Sequence, residues 1–113
     1  MKNFIKIDRV INPFNKTIYV EGDKSLSIRW VLLSSLSKKK SVSYNLLASE
    51  DVKSAIDCIK KLGAKVKLYK KKCEIRGVGF SYQNKKNLVL NAGNSGTLGR
   101  LILGLLINYK NNI

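Results

Sequence analysis

Residues 4–11, Phe4-Ile5-Lys6-Ile7-Asp8-Arg9-Val10-Ile11, are rich in β-branched and aromatic side chains and stop at Asn12-Pro13, which predicts a strand. Asn15-Lys16 then turns into a second predicted strand over 17–20. From 25 to 37 the apolar positions are 26, 28, 30–33 and 36, covering more than one face of a helix. A helix apolar on most sides is expected to be buried on most sides. Lys38 to Lys40 end it, and 41–46 alternates as a strand does. Val52, Ala55, Ile56, Ile59 and Leu62 follow the i, i+3, i+4, i+7 spacing of one apolar helical stripe, with Ser49 as its cap and Gly63 as its C-terminal stop. Strands are expected at 65–69, 73–76 and 88–90, and a third helix at about 95–108. The order β-β-α-β-α-β-β-β-α is an α/β (α+β) pattern with hairpins rather than a regular doubly wound sheet.

Charge changes this picture more than size does. The 113 residues suffice for one small domain, but they carry 22 Lys and Arg against 7 Asp and Glu, a net charge of +15, and no histidine. Lysine runs such as Lys38 to Lys40 and Lys70 to Lys72 are expected at solvated turns rather than on one face, which argues against a nucleic-acid partner. Cys58 and Cys73 lack C-x-x-C spacing and a histidine partner for zinc, so reduced thiols, a cytoplasmic location and no metal or cofactor are expected. The longest apolar run, 101–107, is far too short to cross a membrane.

Two stretches suit an anion. Gly22-Asp23-Lys24-Ser25-Leu26-Ser27-Ile28-Arg29 runs from a polar turn into the first helix, whose start offers free N–H groups and a positive dipole end. Asp23 is the nearest acid, and it precedes the first turn. Asn91-Ala92-Gly93-Asn94-Ser95-Gly96-Thr97 repeats the arrangement before the third helix, again with no acid in the first turn. Both starts are therefore expected to be open to a ligand rather than simply self-capped. The helix after Ser49 carries Glu50 and Asp51 in its first turn and is expected to be self-neutralised.

Gly22-Asp23-Lys24-Ser25-x-Ser27-x-Arg29, Asn45-Leu46-Leu47 with Ser49-Glu50-Asp51-Val52, Leu62-Gly63-Ala64, and Gly93-Asn94-Ser95-Gly96-Thr97-x-x-Arg100 together resemble the N-terminal part of the 5-enolpyruvylshikimate-3-phosphate synthase family. The resemblance runs across essentially the whole chain but covers only the beginning of that enzyme. It implies transfer of the enolpyruvyl group of phosphoenolpyruvate to the 5-hydroxyl of shikimate 3-phosphate, releasing phosphate, on the route to chorismate and aromatic amino acids. It also implies a fold of two similar domains, each of three β-α-β-α-β-β units, with the site between them. In that arrangement residues 1–21 belong with the other domain, and 22–113 form one unit and the start of a second.

Carried over by motif, Lys24 contacts both anionic substrates, and Ser25 and Arg29 bind shikimate 3-phosphate. Gly96 contacts phosphoenolpyruvate, with Asn94 and Thr97 shaping its loop and Arg100 in a supporting role. Retention of Gly96 implies that the complete enzyme admits glyphosate. The family acts as a monomer without a cofactor, and its acid and base fall beyond position 113. The isolated chain is thus expected to be inactive. Glu21 stands where the family commonly has proline, and Ile28 where a polar residue often precedes the arginine.

The sister transferase acting on UDP-N-acetylglucosamine follows the lysine with asparagine, unlike Lys24-Ser25. A P-loop needs glycine where Asp23 and Ile18 stand. A small basic nucleic-acid-binding module is the remaining alternative, favoured by net charge and by five tyrosines that could stack on bases, although the aromatics are scattered along the chain.

Overall fold

A computed structural model describes residues 4–6, 8–80 and 87–107. Its elements are α1 (Lys24–Ser35), β1 (Lys40–Tyr44), α2 (Glu50–Lys61), β2 (Lys65–Tyr69), β3 (Lys72–Arg76) and α3 (Gly96–Leu106). The strands form one antiparallel sheet in the order β1-β3-β2, with Ser41 and Val66 flanking Ile75 on the inner face.

α2 follows its sequence pattern closely. The Ser49 hydroxyl accepts from the Val52 N–H at 3.4 Å, and the helix ends with Gly63 at φ 106°. There the Gly63 N–H donates to Lys60 O and the Ala64 N–H to Ile59 O, both at 2.9 Å. These two bonds form a Schellman cap, which satisfies carbonyls the helix end would otherwise leave open. The apolar stripe, Val52, Ala55, Ile56 and Ile59, is buried against Ile28, Val31 and Leu32 of α1, Ile75 of β3, and Leu98 and Ile102 of α3.

α1 departs from expectation. Ile28, Val31 and Leu32 are buried, but Leu26 and Leu33 are 63% and 66% exposed. Among the described residues the helix is covered on one side only, the side that carries Ile28, Val31 and Leu32 into the core shared with α2, α3 and β3. Buried Ser35 donates to Leu32 O at 2.6 Å, and its own carbonyl accepts from the Val78 N–H at 3.0 Å. α1 stops at Ser35 rather than 37, and α3 runs to Leu106, position 108 lying outside the described residues. β1 stops at Tyr44 rather than 46 because Asn45 turns to φ 58°.

The strands expected at 4–11, 17–20 and 88–90 are not strands among the described residues. Their composition suits a sheet, but a strand needs a neighbour to bond its backbone. Phe4, Ile5, Val10, Ile18 and Val89 are all more than 70% exposed. One contact anchors the end of the leading segment: Asn45 Nδ2 donates to Val20 O at 3.1 Å.

The lysines are also not confined to turns. Register aligns Lys40, Arg76 and Lys65 in one row across the outer sheet face, with Lys67 beside Glu74 in the next. Glu74 pairs with Lys40 at 3.7 Å and Lys72 at 2.5 Å. Together Lys40, Lys65, Lys67, Glu74 and Arg76 line a shallow hollow of about 280 Å³.

Candidate functional site

The turn before α1 is fixed by close backbone packing. A Cβ at Gly22 would lie 2.2 Å from Asn45 O, so only glycine lets the two segments meet. Asp23 follows in extended backbone as the N-cap, its Oδ1 accepting from the Leu26 N–H at 2.7 Å. The expectation of an uncapped helix start is therefore corrected. Asp23 satisfies one first-turn donor and leaves the Lys24 and Ser25 N–H groups without a helical acceptor. Lys24 is exposed and Ser25 half-buried.

α3 begins in the same way. Gly93 adopts φ 58°, and its N–H donates to Asn91 Oδ1 at 2.8 Å. Buried Ser95 is the N-cap, accepting from Leu98 N–H at 3.2 Å. This start is self-capped too, again against expectation. Gly96 and Asn94 are exposed, and Thr97 is half-buried. Arg100 points back along the helix, its Nη2 lying 3.5 Å from the place a Gly96 Cβ would occupy. Neither α1 nor α3 has an acid in its first turn.

Both starts touch the N-terminal part of α2. Lys24 Nζ lies 3.1 Å from Asp51 Oδ2, and Ser54 Oγ lies 2.9 Å from where a Cβ on Gly93 would stand. Asp51 and Ser54, three apart on a helix, share one face. The two glycine-marked turns thus flank one turn of a third helix. Asp23 is consequently not the only acid nearby: Asp51, expected to serve its own helix, also faces Lys24. That proximity needed the fold, because nothing in local spacing pairs residues on separate helices.

Arg29 stands apart from this grouping. Five residues beyond Lys24, it lies about 7.5 Å further along the helix axis. It lines an apolar groove of about 350 Å³ with Leu32, Leu33, Leu36, Leu101 and Leu105 between α1 and α3. Ser27, which lies in the motif but is not expected to bind a ligand, has a structural part. Its buried hydroxyl accepts from the Leu47 N–H at 3.1 Å, holding the α1 start to the segment that leads into α2.

Among the described residues no group of His, Cys, Asp and Glu is placed to hold a metal ion, and no helix is long and apolar enough to cross a membrane. The helix starts instead offer N–H donors and cationic side chains, which suit phosphate or carboxylate oxygens.

The family model for EPSP synthase (3-phosphoshikimate 1-carboxyvinyltransferase) matches residues 9–113. A 3-phosphoshikimate 1-carboxyvinyltransferase of Syntrophomonas wolfei is 37% identical over 101 residues, 89% of this chain and 24% of that protein. One from Buchnera aphidicola of Acyrthosiphon pisum is 36% identical over 115 residues, all of this chain and 27% of that protein. The solved EPSP synthase from Acinetobacter baumannii superposes with a TM-score of 0.71 at 29% identity, over 79% of this chain and 20% of that one. The chain thus spans about a quarter of the length of these curated relatives. With residues 9–113 matched and both helix-start motifs inside that span, the chain belongs to the EPSP synthase family.

Proposed function

We propose that this chain supplies part of the substrate site of an enzyme that moves the enolpyruvyl group of phosphoenolpyruvate onto the 5-hydroxyl of shikimate 3-phosphate. A carbon–oxygen bond forms at the 5-hydroxyl as its O–H bond breaks, the bond between the enolpyruvyl carbon and the phosphate oxygen breaks, and phosphate leaves with the proton. Lys24 and Ser25 bind shikimate 3-phosphate at the start of α1, with the Lys24 ammonium also reaching phosphoenolpyruvate. Gly96 brings the α3 backbone close to the phosphoenolpyruvate anion, while Asn94 and Thr97 shape the loop and Arg100 adds positive charge. Arg29, about one and a half turns along α1 and lining the groove beside α3, is assigned to shikimate 3-phosphate by its place in the motif. The complete enzyme is a cytoplasmic monomer needing no cofactor, and residues 1–21 belong to its other domain.

The observation carrying this reading is that the Lys24 and Gly93 turns both border the N-terminal part of α2, at Asp51 and Ser54. Two anion-favouring helix starts beside one another match a reaction between two multiply anionic substrates. Charge-assisted hydrogen bonds to such groups are worth roughly 1.5–3 kcal/mol each. Nuclear magnetic resonance titration of the ¹⁵N-labelled chain with shikimate 3-phosphate tests it. The expected result is saturable shifts of the Lys24 and Ser25 amides, with the affinity lowered in Lys24→Ala. Shifts scattered over lysines of the outer sheet face, unchanged in Lys24→Ala, would refute it.

A further inference from the structure

Lys24 and Asp51 form an unequal pair. The Asp51 side chain is 21% exposed and that of Lys24 is 54% exposed, across a 3.1 Å contact. Asp51 is short, rooted in the first turn of α2, and held there by the favourable end of that helix's dipole. Lys24 ends in an ammonium on a flexible four-carbon stem. The carboxylate is therefore the fixed member and the lysine the adaptable one. An ammonium has three donors, so one given to Asp51 leaves two for a ligand at the α1 start.

We propose that Asp51 is a positioning residue, which holds the Lys24 ammonium between α1 and α2 before an anionic substrate arrives. This rests on the reading of Lys24 given above. A lysine already held in place loses less rotamer freedom when the ligand binds, and preorganisation of this kind raises affinity. An opposing effect exists, since the Asp51 charge repels the same anion and competes for the same ammonium. The sign of the Asp51→Asn effect separates the two, because asparagine removes the charge while keeping the size.

The test is titration of the whole chain with shikimate 3-phosphate in four forms: unmodified, Asp51→Asn, Lys24→Ala and the double variant. Urea unfolding of each establishes that all are folded. Positioning predicts that Asp51→Asn weakens binding about tenfold in the unmodified background and less than about twofold once Lys24 is alanine. Asp51→Glu, which keeps the charge on a longer stem, recovers part of the loss. Tighter or unchanged binding in Asp51→Asn overturns the proposal, as does an equal loss in both backgrounds, which would mark Asp51 as a support of α2 alone. If Lys24→Ala weakens binding and Asp51→Asn does not, the functional reading stands and only this inference falls. If the unmodified chain does not bind, both fall.

Discussion

The Ser27 hydroxyl accepts a hydrogen bond from the Leu47 backbone N–H at 3.1 Å, joining the first turn of α1 to the approach to α2 across 20 positions of chain. Ser27 is only 5% exposed and Leu47 is half-buried, so the bond is partly shielded from water. Ser27→Ala leaves the Leu47 donor without that acceptor, a loss of about 1–3 kcal/mol. Urea unfolding should show a lower midpoint with an unchanged slope. The Lys24–Asp51 pair spans the same junction, so anion binding at the α1 start should weaken alongside stability.

Glycines of this chain divide by what surrounds them, and alanine substitution should separate them. At Gly22 a Cβ would stand 2.2 Å from Asn45 O, and at Gly77 2.1 Å from Ser35 O, both backbone atoms that cannot step aside. At Gly104 it would meet nothing within 4 Å, inside a helix. Gly22→Ala and Gly77→Ala should each destabilise by at least about 1–3 kcal/mol, through overpacking. Gly104→Ala should stabilise by about 0.5–1 kcal/mol, since alanine loses less entropy in a helix. Thermal unfolding of the three variants should move Tm in these opposite directions.

That contrast marks how far the sequence could be read. Helix α2 was legible because its cap, stripe and terminal glycine are all local, and each lies where spacing puts it. The hairpin of β2 and β3 was legible for the same reason. What spacing could not supply was partnership between distant elements. Residues 17–20 have strand composition but no sheet neighbour among the described residues, and α1 is apolar on sides that nothing described covers. Asp51 looked like a local cap residue until the fold set it against Lys24. In the other direction, motif order identified both helix starts, though it did not reveal that Asp23 and Ser95 cap them.

The outer sheet face makes stability depend on acid. A hydrogen bond from Lys72 holds the Glu74 carboxyl below the usual carboxylate range, with Lys40 and Lys67 adding to the effect, and the same pairing holds Lys72 above the usual lysine range. The lowered carboxylate favours the fold at any pH above its unfolded value. That contribution is lost as pH falls through its lower folded value. The raised lysine acts at the other end, its contribution present below its unfolded value and lost as pH rises through its folded one. Glu74→Gln should therefore be less stable than the unmodified chain near neutrality and converge with it in acid. Parallel urea titrations over that range check the sign.

Two thiols should resist modification. Cys58 and Cys73 are both free and buried, and burial pushes both above the ordinary thiol range. Cys58 also donates to Asn91 O at 3.5 Å. Since the thiolate is the reactive form, a water-soluble disulfide reagent should label neither in the folded chain and both in urea. The raised values further mean that stability falls as pH climbs from the ordinary thiol range through the folded one. Cys58→Ala and Cys73→Ala should flatten that alkaline decline.

Gly96 tests the site apart from the fold. It opens α3 without positive φ, and a Cβ there would meet only Arg100 Nη2 at 3.5 Å, an ordinary contact with the far end of a flexible side chain. Packing within the described residues therefore gives no reason for glycine at this position. Gly96→Ala should leave the urea midpoint unchanged or slightly higher, alanine being the better helix residue. A ligand anion received by the α3 backbone would meet the new methyl at once, and its approach to the first-turn N–H groups would be blocked. Phosphoenolpyruvate should accordingly cease to perturb the Gly96 and Thr97 amides in the variant, while shikimate 3-phosphate continues to perturb Lys24 and Ser25. Loss of both ligands together, with stability intact, would mean that the two helix starts hold a single anion between them rather than one each.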